Sequence, residues 1–254
     1  MISRYKVWLN GESLEEISPL IYISDISYGG AAPAYAANRI GKNDGQLSGA
    51  DYIDGATVTV SFEAREYSTQ KRQRIVNDVA AWAAKGGWLN TSDRDGQRLY
   101  VRCTQFPAVN SVRNWLDTLA VEFTAFEVPY WTAVDPVSVT VANGGSGTLR
   151  LGGARKTYCE AVITAGAALT SLSVTVGSTT IALTGLSVAN GDTVTISYTD
   201  DHHILEIKHG TTSILNKRTA ASSDDLVAEV GDNAVSFTAS GTASCTVKAR
   251  EVYL

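Results

Sequence analysis

Histidine is scarce in this chain, and none of the three residues precedes His202. A Ser-His-Asp triad would have to draw its base from His202, His203 or His209, and no G-x-S-x-G elbow presents a nucleophile. Cysteine is equally sparse. Cys103, Cys159 and Cys245 lie far apart, are odd in number and form no C-x-x-C. That spacing excludes a disulfide framework and predicts isolated buried thiols in a protein made in a reducing cytoplasm. No apolar run is long enough to cross a bilayer as a helix. The opening MISRYKVWLNGESLEE lacks an apolar h-region, so no secretory leader is expected. No tryptophan follows Trp131. Sugars stack on exposed aromatic rings, so the C-terminal half is poorly equipped as a lectin, and its Tyr158, Tyr198, Phe237 and Tyr253 read as core. Basic charge is in deficit as well. The net charge is −5 and neither half carries a basic field, which argues against specific nucleic-acid binding.

Few clusters carry the residue types of catalysis. Asp200-Asp201-His202-His203 combines carboxylates with imidazoles, and D-H-H is a short signature of some phosphoesterases. It falls between TVTISY and ILEIK, where a hairpin turn is expected. Neighbours in an extended chain point to opposite faces and cannot converge on one ion. GGSGTLRLGG (144–153) lacks the Lys-Ser/Thr ending of a phosphate loop and opens no helix, so its glycines read as turn and bulge positions. Asp224-Asp225 follows two serines and reads as a turn cap. No pair of acids is singled out as a glycosidase dyad. The expectation is a non-enzyme with no catalytic, cofactor-binding or metal-binding residues.

What the chain does have is a well-patterned body over 57–131. TVTVSFEA alternates Val58, Val60, Phe62 and Ala64 with polar residues, the period of a half-buried strand. Ser68 sits at a helix N-cap, and Ile75, Val79 and Trp82 share one face of the helix that follows. Gly86-Gly87 ends it. A strand, a turn at Asp95-Gly96, a second strand and DTLAVEFTA complete the unit. Ahead of it come a short strand Lys6–Leu9, an Asn10-Gly11 turn, a solvated loop holding Glu12, Glu15 and Glu16, and a strand Leu20–Ile26. The stretch Tyr28–Asp54, rich in Gly, Ala, Asn and Asp, reads as a long loop or hairpin extension. Lys71, Arg72 and Arg74 start the helix, where cations oppose its dipole at a cost of about 0.3–1 kcal/mol. They therefore serve either as a solvated polar face or as partners for acids, Glu63 and Glu66 or those of a neighbouring subunit.

Beyond Trp131 the composition shifts to Thr, Ser, Val and Gly. Short alternating runs separated by turns predict an antiparallel β-sandwich, with a helical turn only near Ser223–Val227. The fold class is thus mainly β with one α-helix: an α+β domain over 1–131, a linker over 132–143 in which Val137–Val141 is already strand-like, and a β-sandwich over 144–254.

The order of these features resembles the distal tail proteins of siphophages, the tail-tip and baseplate hub family of phages and prophages of Gram-positive hosts. In the first half the likeness rests on TVTVSFEAREYSTQKRQRIVNDVAAWAAKGGWLNTSDRDGQRLYVRC and LDTLAVEFTAFEVPYW. In the second it rests on LSVTVGSTTIALTGLSVANGDTVTISYTDDHHILEIK, GDNAVSFTAS and CTVKAREVYL. The resemblance implies a galectin-like C-terminal sandwich on a domain that forms a homohexameric ring, single or stacked. Such a ring sits at the virion tail tip between the tail-tube protein and the tip protein, carries receptor-binding proteins, and lets DNA transit its bore. It implies no membrane partner and no cofactor. A closed ring needs two different patches per subunit. The candidate interface residues are Tyr28, Tyr35 and Arg39 in the 28–54 stretch, and Lys71 and Arg72 on the helix. The alternatives are a carbohydrate-binding module or adhesin, and a tail-tube subunit.

Overall fold

The computed structural model describes residues 3–30, 55–108, 118–200 and 204–253, and the backbone alone at 33–34, 37–39, 46–48 and 52–53. The chain divides into two compact units, Met1–Trp131 and Thr132–Tyr253.

In the first unit, strand β1 (Val7–Leu9) turns through Asn10-Gly11 into β2 (Glu12–Ser13). Both turn residues have positive φ, 53° and 83°, as a tight hairpin turn requires. The Asn10 side chain accepts from the Trp88 N–H at 2.9 Å and donates to the Gly86 carbonyl at 2.8 Å. It thereby ties this turn to the end of the main helix. The glutamates expected in a loop are instead organised by a short helix α1 (Leu14–Ile17). Ser13 and Glu16 form a reciprocal capping box that satisfies its first N–H groups, a local signal that overrides the bare acidic composition.

Strand β3 (Ile21–Gly29) runs beyond the expected end at Ile26 and takes Tyr28 with it. The stretch after it is a hairpin in backbone terms. β4 (Pro33–Ala34) pairs with β7 (Tyr52–Ile53), and β5 (Ala37–Arg39) pairs with β6 (Gln46–Ser48). The chain returns along β8 (Ala56–Ala64), which pairs antiparallel with β3. Helix α2 (Thr69–Ala84) follows, capped by Ser68, and then β9 (Gly87–Thr91), β10 (Gln97–Gln105) and β11 (Thr118–Ala125). The strands form one sheet in the order β2-β1-β9-β10-β11-β8-β3.

The alternation read in the sequence decides which face is buried. Val58, Val60, Phe62, Val121 and Phe123 are fully buried, and α2 contributes Ile75, Val76, Val79 and Trp82 to the same core. The Trp82 ring meets Phe123 edge-on at 6.0 Å, and its indole N–H donates to the Glu12 carbonyl at 3.2 Å. Cutting a buried phenylalanine such as Phe62 to alanine would cost about 3–5 kcal/mol. The opposite face carries Thr57, Thr59, Ser61 and Glu63 on β8 against Thr118, Ala120, Glu122 and Thr124 on β11.

Trp131–Ala133 forms β12, at the junction of the two units. The second unit then comprises β13 (Val137–Ala142), β14 (Ser146–Leu151), β15 (Thr157–Ala165), β16 (Leu169–Val176), β17 (Thr179–Val188), β18 (Thr193–Tyr198), β19 (Leu205–His209), β20 (Thr212–Ser213), β21 (Val227–Ala228), β22 (Gly231–Ala239), β23 (Ala243–Ala249) and β24 (Val252–Tyr253). Two antiparallel sheets, β13-β23-β15-β18-β19-β20 and β14-β22-β16-β17, enclose a core that includes Leu149, Ile163, Val174, Ile181, Ile196 and Phe237. The GGSGTLRLGG run is more ordered than a turn. It is strand β14 flanked by Gly144 and Gly153 in the left-handed region, φ 76° and 81°. The expected turn of helix at 223–227 is absent; a 3-10 turn occupies Leu215–Lys217 instead, and Val227–Ala228 is a strand paired with β15.

Segment 218–223 covers the outer edge of β17. Ser222 and Ser223 hydroxyls accept from the Ala182 and Thr180 N–H groups at 2.9 Å, and the Thr219 and Ser223 N–H groups donate to the Ala182 and Thr180 carbonyls. That edge is thus closed to strand addition. The outward face of the four-stranded sheet is rich in hydroxyls, with Arg150 and Asp232 paired across β14 and β22 at one end. One row across it reads Ser146, Ser236, Thr175, Thr180, with Thr175 and Thr180 Oγ1 atoms 2.9 Å apart.

Candidate subunit interface

Of the five sequence candidates, Tyr28, Lys71 and Arg72 are described with their side chains, and Tyr28 lies apart from the other two. Tyr28 is registered with Val58 near the start of β8, whereas Lys71 and Arg72 follow its far end. Tyr35 lies outside the described residues. Arg39 is described only as backbone, opposite Gln46. Lys71 is exposed at the start of α2. Arg72 departs from the solvated face expected of it: it is 4 % exposed and counts among the residues that α2 buries. The helical period explains this. Arg72 lies three residues before Ile75, four before Val76 and seven before Val79, so the apolar stripe passes through it.

Tyr28 joins a group that no sequence pattern announces. Its hydroxyl donates to Asp93 at 2.6 Å and lies 2.9 Å from Thr91 Oγ1. The Arg94 guanidinium lies 4.8 Å from the Tyr28 ring centre and 4.7 Å from that of Trp131, and the two rings meet edge-on at 5.7 Å. Burial pushes the Tyr28 phenol well above its ordinary range, with the Asp93 carboxylate adding to the effect. The partners are separated by more than 30 residues on either side, so only the folded register brings them together.

Leu20, Tyr67 and Phe106 are exposed apolar side chains, at 39, 78 and 50 %. Leu20 precedes β3 and Tyr67 follows β8, and the pairing of Ile21 with Ala64 brings both to one end of the sheet. Phe106 lies farther along, since Gln105 is level with Glu122 and Thr59. The outer edge of β3 has no strand partner among the described residues.

No group of three or more His, Cys, Asp or Glu side chains among the described residues could hold a metal. Residues 201–203 of the D-D-H-H run lie outside the described residues. His209 is instead hydrogen-bonded to Asp192, Nε2 to Oδ2 at 2.8 Å, beside the Asn190-Gly191 turn. The Ala189 N–H and then His209 hold the Asp192 carboxyl below its usual range. Cys159 and Cys245 are buried, and burial pushes both thiols up to about 12. Cys103 is only half-buried, unlike the buried thiol expected. Tyr158 departs likewise from core, being 36 % exposed and stacked at 4.7 Å on Tyr198. A shallow trough of about 330 Å³ on the four-stranded sheet is lined by Ser171, Ser173, Thr184, Thr238 and Ser240, with no titratable group.

Comparison with known structures decides the fold. The Dit protein of phage SPP1, described as a paradigm of the hub adsorption apparatus in phages infecting Gram-positive bacteria, superposes with a TM-score of 0.75 at 12% identity. The match covers 98% of this chain and 99% of Dit. This chain has the hub fold. The baseplate of phage P2 in its activated conformation contains a second example, solved with calcium (TM-score 0.54, 10% identity, 99% and 98% coverage) and with strontium (TM-score 0.54, 10% identity, 97% of each chain). No protein-family model matches the sequence, and no curated protein does. At such identities the hub fold is held by pattern rather than by residue identity. The buried alternation of β8 and β11 and the glycine-punctuated strands of the second unit are the features that carry it. No helix among the described residues is long and apolar enough to cross a membrane.

Proposed function

We propose that this chain is a structural hub protein of a siphophage tail tip, without catalysis. It forms a sixfold ring between the tail tube and the tip apparatus that bears the receptor-binding proteins. The observation that carries this reading is the end-to-end likeness to SPP1 Dit, which spans both units rather than one shared module. Three surfaces of the first unit suit the role. The edge of β3, which has no strand partner among the described residues, can accept a strand from a neighbour, and the hairpin arm of β4–β7 can reach one. The apolar end at Leu20 and Tyr67 offers a contact along the tail axis. The polar sheet face opposite α2 suits the bore. It offers hydroxyls and the Glu63 and Glu122 carboxylates, while Arg65 and Arg102 are ion-paired at 2.7 Å to Glu63 and Glu127. A duplex would meet few uncompensated cations there and would pass without being held. The galectin-like second unit is assigned to the ring's periphery. Cryo-microscopy of the parent particle tests the proposal: six copies in a ring at the tail tip are expected, and a tail that lacks this chain ends it.

A further inference from the structure

The pairing of β3 with β8 ends where the hairpin arm begins. Its last rung is Gly29 opposite Thr57, and glycines bound both legs, Gly29-Gly30 on the way out and Gly55 on the way back. Both legs are closely packed there. A Cβ on Gly29 would sit 2.2 Å from Thr57 Oγ1, and one on Gly55 would sit 2.7 Å from the Ala125 carbonyl oxygen. The outgoing leg therefore has no side chain at its final rung, and Tyr28 is the last one able to grip. Among the described residues β3 is also the sheet's edge, and β8 is its strand partner there. An isolated two-stranded ribbon is marginal in water.

We propose that the Tyr28–Arg94–Trp131 stack, with Asp93 and Thr91 on the Tyr28 hydroxyl, is a clamp that fixes the root of the hairpin arm. Its parts suit the task. Arg94 belongs to the turn between β9 and β10, so the clamp binds the edge strand to a turn that the fold already holds. Thr91 and Trp131 are 2 and 4 % exposed, so the clamp is anchored on buried side chains. A planar guanidinium can lie against two rings at once, which an ammonium group cannot do equally well. The clamp's purpose rests on the reading of the arm as an assembly element, but the clamp itself is a property of the single chain.

Hydrogen–deuterium exchange on the full chain tests it, with Arg94→Ala and the milder Arg94→Lys. Exchange should rise at least tenfold at residues 27–30 and 55–58 in Arg94→Ala, and less in Arg94→Lys. The rungs at 60–64 and 118–121 should keep wild-type protection. An unchanged root, or a uniform rise over the whole first unit in both variants, overturns the clamp. Ring formation by the same variants separates the two claims. A loosened root in chains that still form rings keeps the clamp and removes the arm from the interface.

Discussion

Lys71 and Arg72 are adjacent in sequence and opposite in circumstance, one exposed and the other buried in the first unit's core. A charge reversal therefore means different things at each. Lys71→Glu leaves the fold intact and is expected to weaken ring assembly severalfold in light scattering if the helix start meets a neighbour; unchanged assembly removes Lys71 from the interface. Arg72→Glu places a carboxylate in a buried site and is expected to unfold the first unit, visible as lost cooperativity in thermal melts. Side-chain period alone makes the buried valines and phenylalanines of β8 and β11 legible in the sequence. It makes Arg72 legible too, once its place on the apolar stripe is weighed above its charge. The Tyr28 clamp is not legible there, because its members are joined only by register. The buried thiols give a second residue-scale prediction. Their ordinary value is near 9 and the fold raises it to about 12 at Cys159 and Cys245. A raised thiol pKa contributes stability below pH 9 that is lost as pH climbs toward 12, since the unfolded chain then releases protons that the folded chain keeps. The denaturant midpoint should fall across that window, and less steeply in Cys159→Ala/Cys245→Ala.

The arm of β4–β7 is separable from the body that carries it. β3 and β8 pair, with one register shift between Ile23 and Asp25, from Ile21 opposite Ala64 to Gly29 opposite Thr57. A two-residue turn can therefore replace 31–54. Such a deletion should leave the melting temperature of the first unit within a few degrees of wild type and abolish ring formation by native mass spectrometry. Strands with bulky alternating residues are plain in the sequence. The strands that are not plain have small or atypical residues inside. β15 buries Cys159, Ala161, Ile163 and Ala165, an alternation too weak in hydrophobicity to stand out, and β14 hides among glycines. α1 is hidden for a different reason: its capping box lies in a run of acids that reads as solvated surface.

Each unit has its own core, and no member of the second unit's buried cluster precedes Val141. Residues 132–253 produced alone should therefore melt in one cooperative transition, within about 5 °C of the corresponding transition in the full chain by calorimetry. A fragment that stays unfolded would show that the sandwich depends on its neighbour. At this scale the two-part architecture is legible because tryptophan stops where threonine and serine take over. The hub fold itself is legible only through a resemblance of order, since no invariant chemical motif marks it. The hydroxyl row Ser146, Ser236, Thr175, Thr180 has a consequence for whatever meets that sheet. Short hydroxylated side chains lose little rotamer freedom on contact and carry no formal charge to strip of water. An association confined to that row, clear of Arg150 and Asp232, would be nearly indifferent to ionic strength, so it would hold alike in dilute medium and in brine.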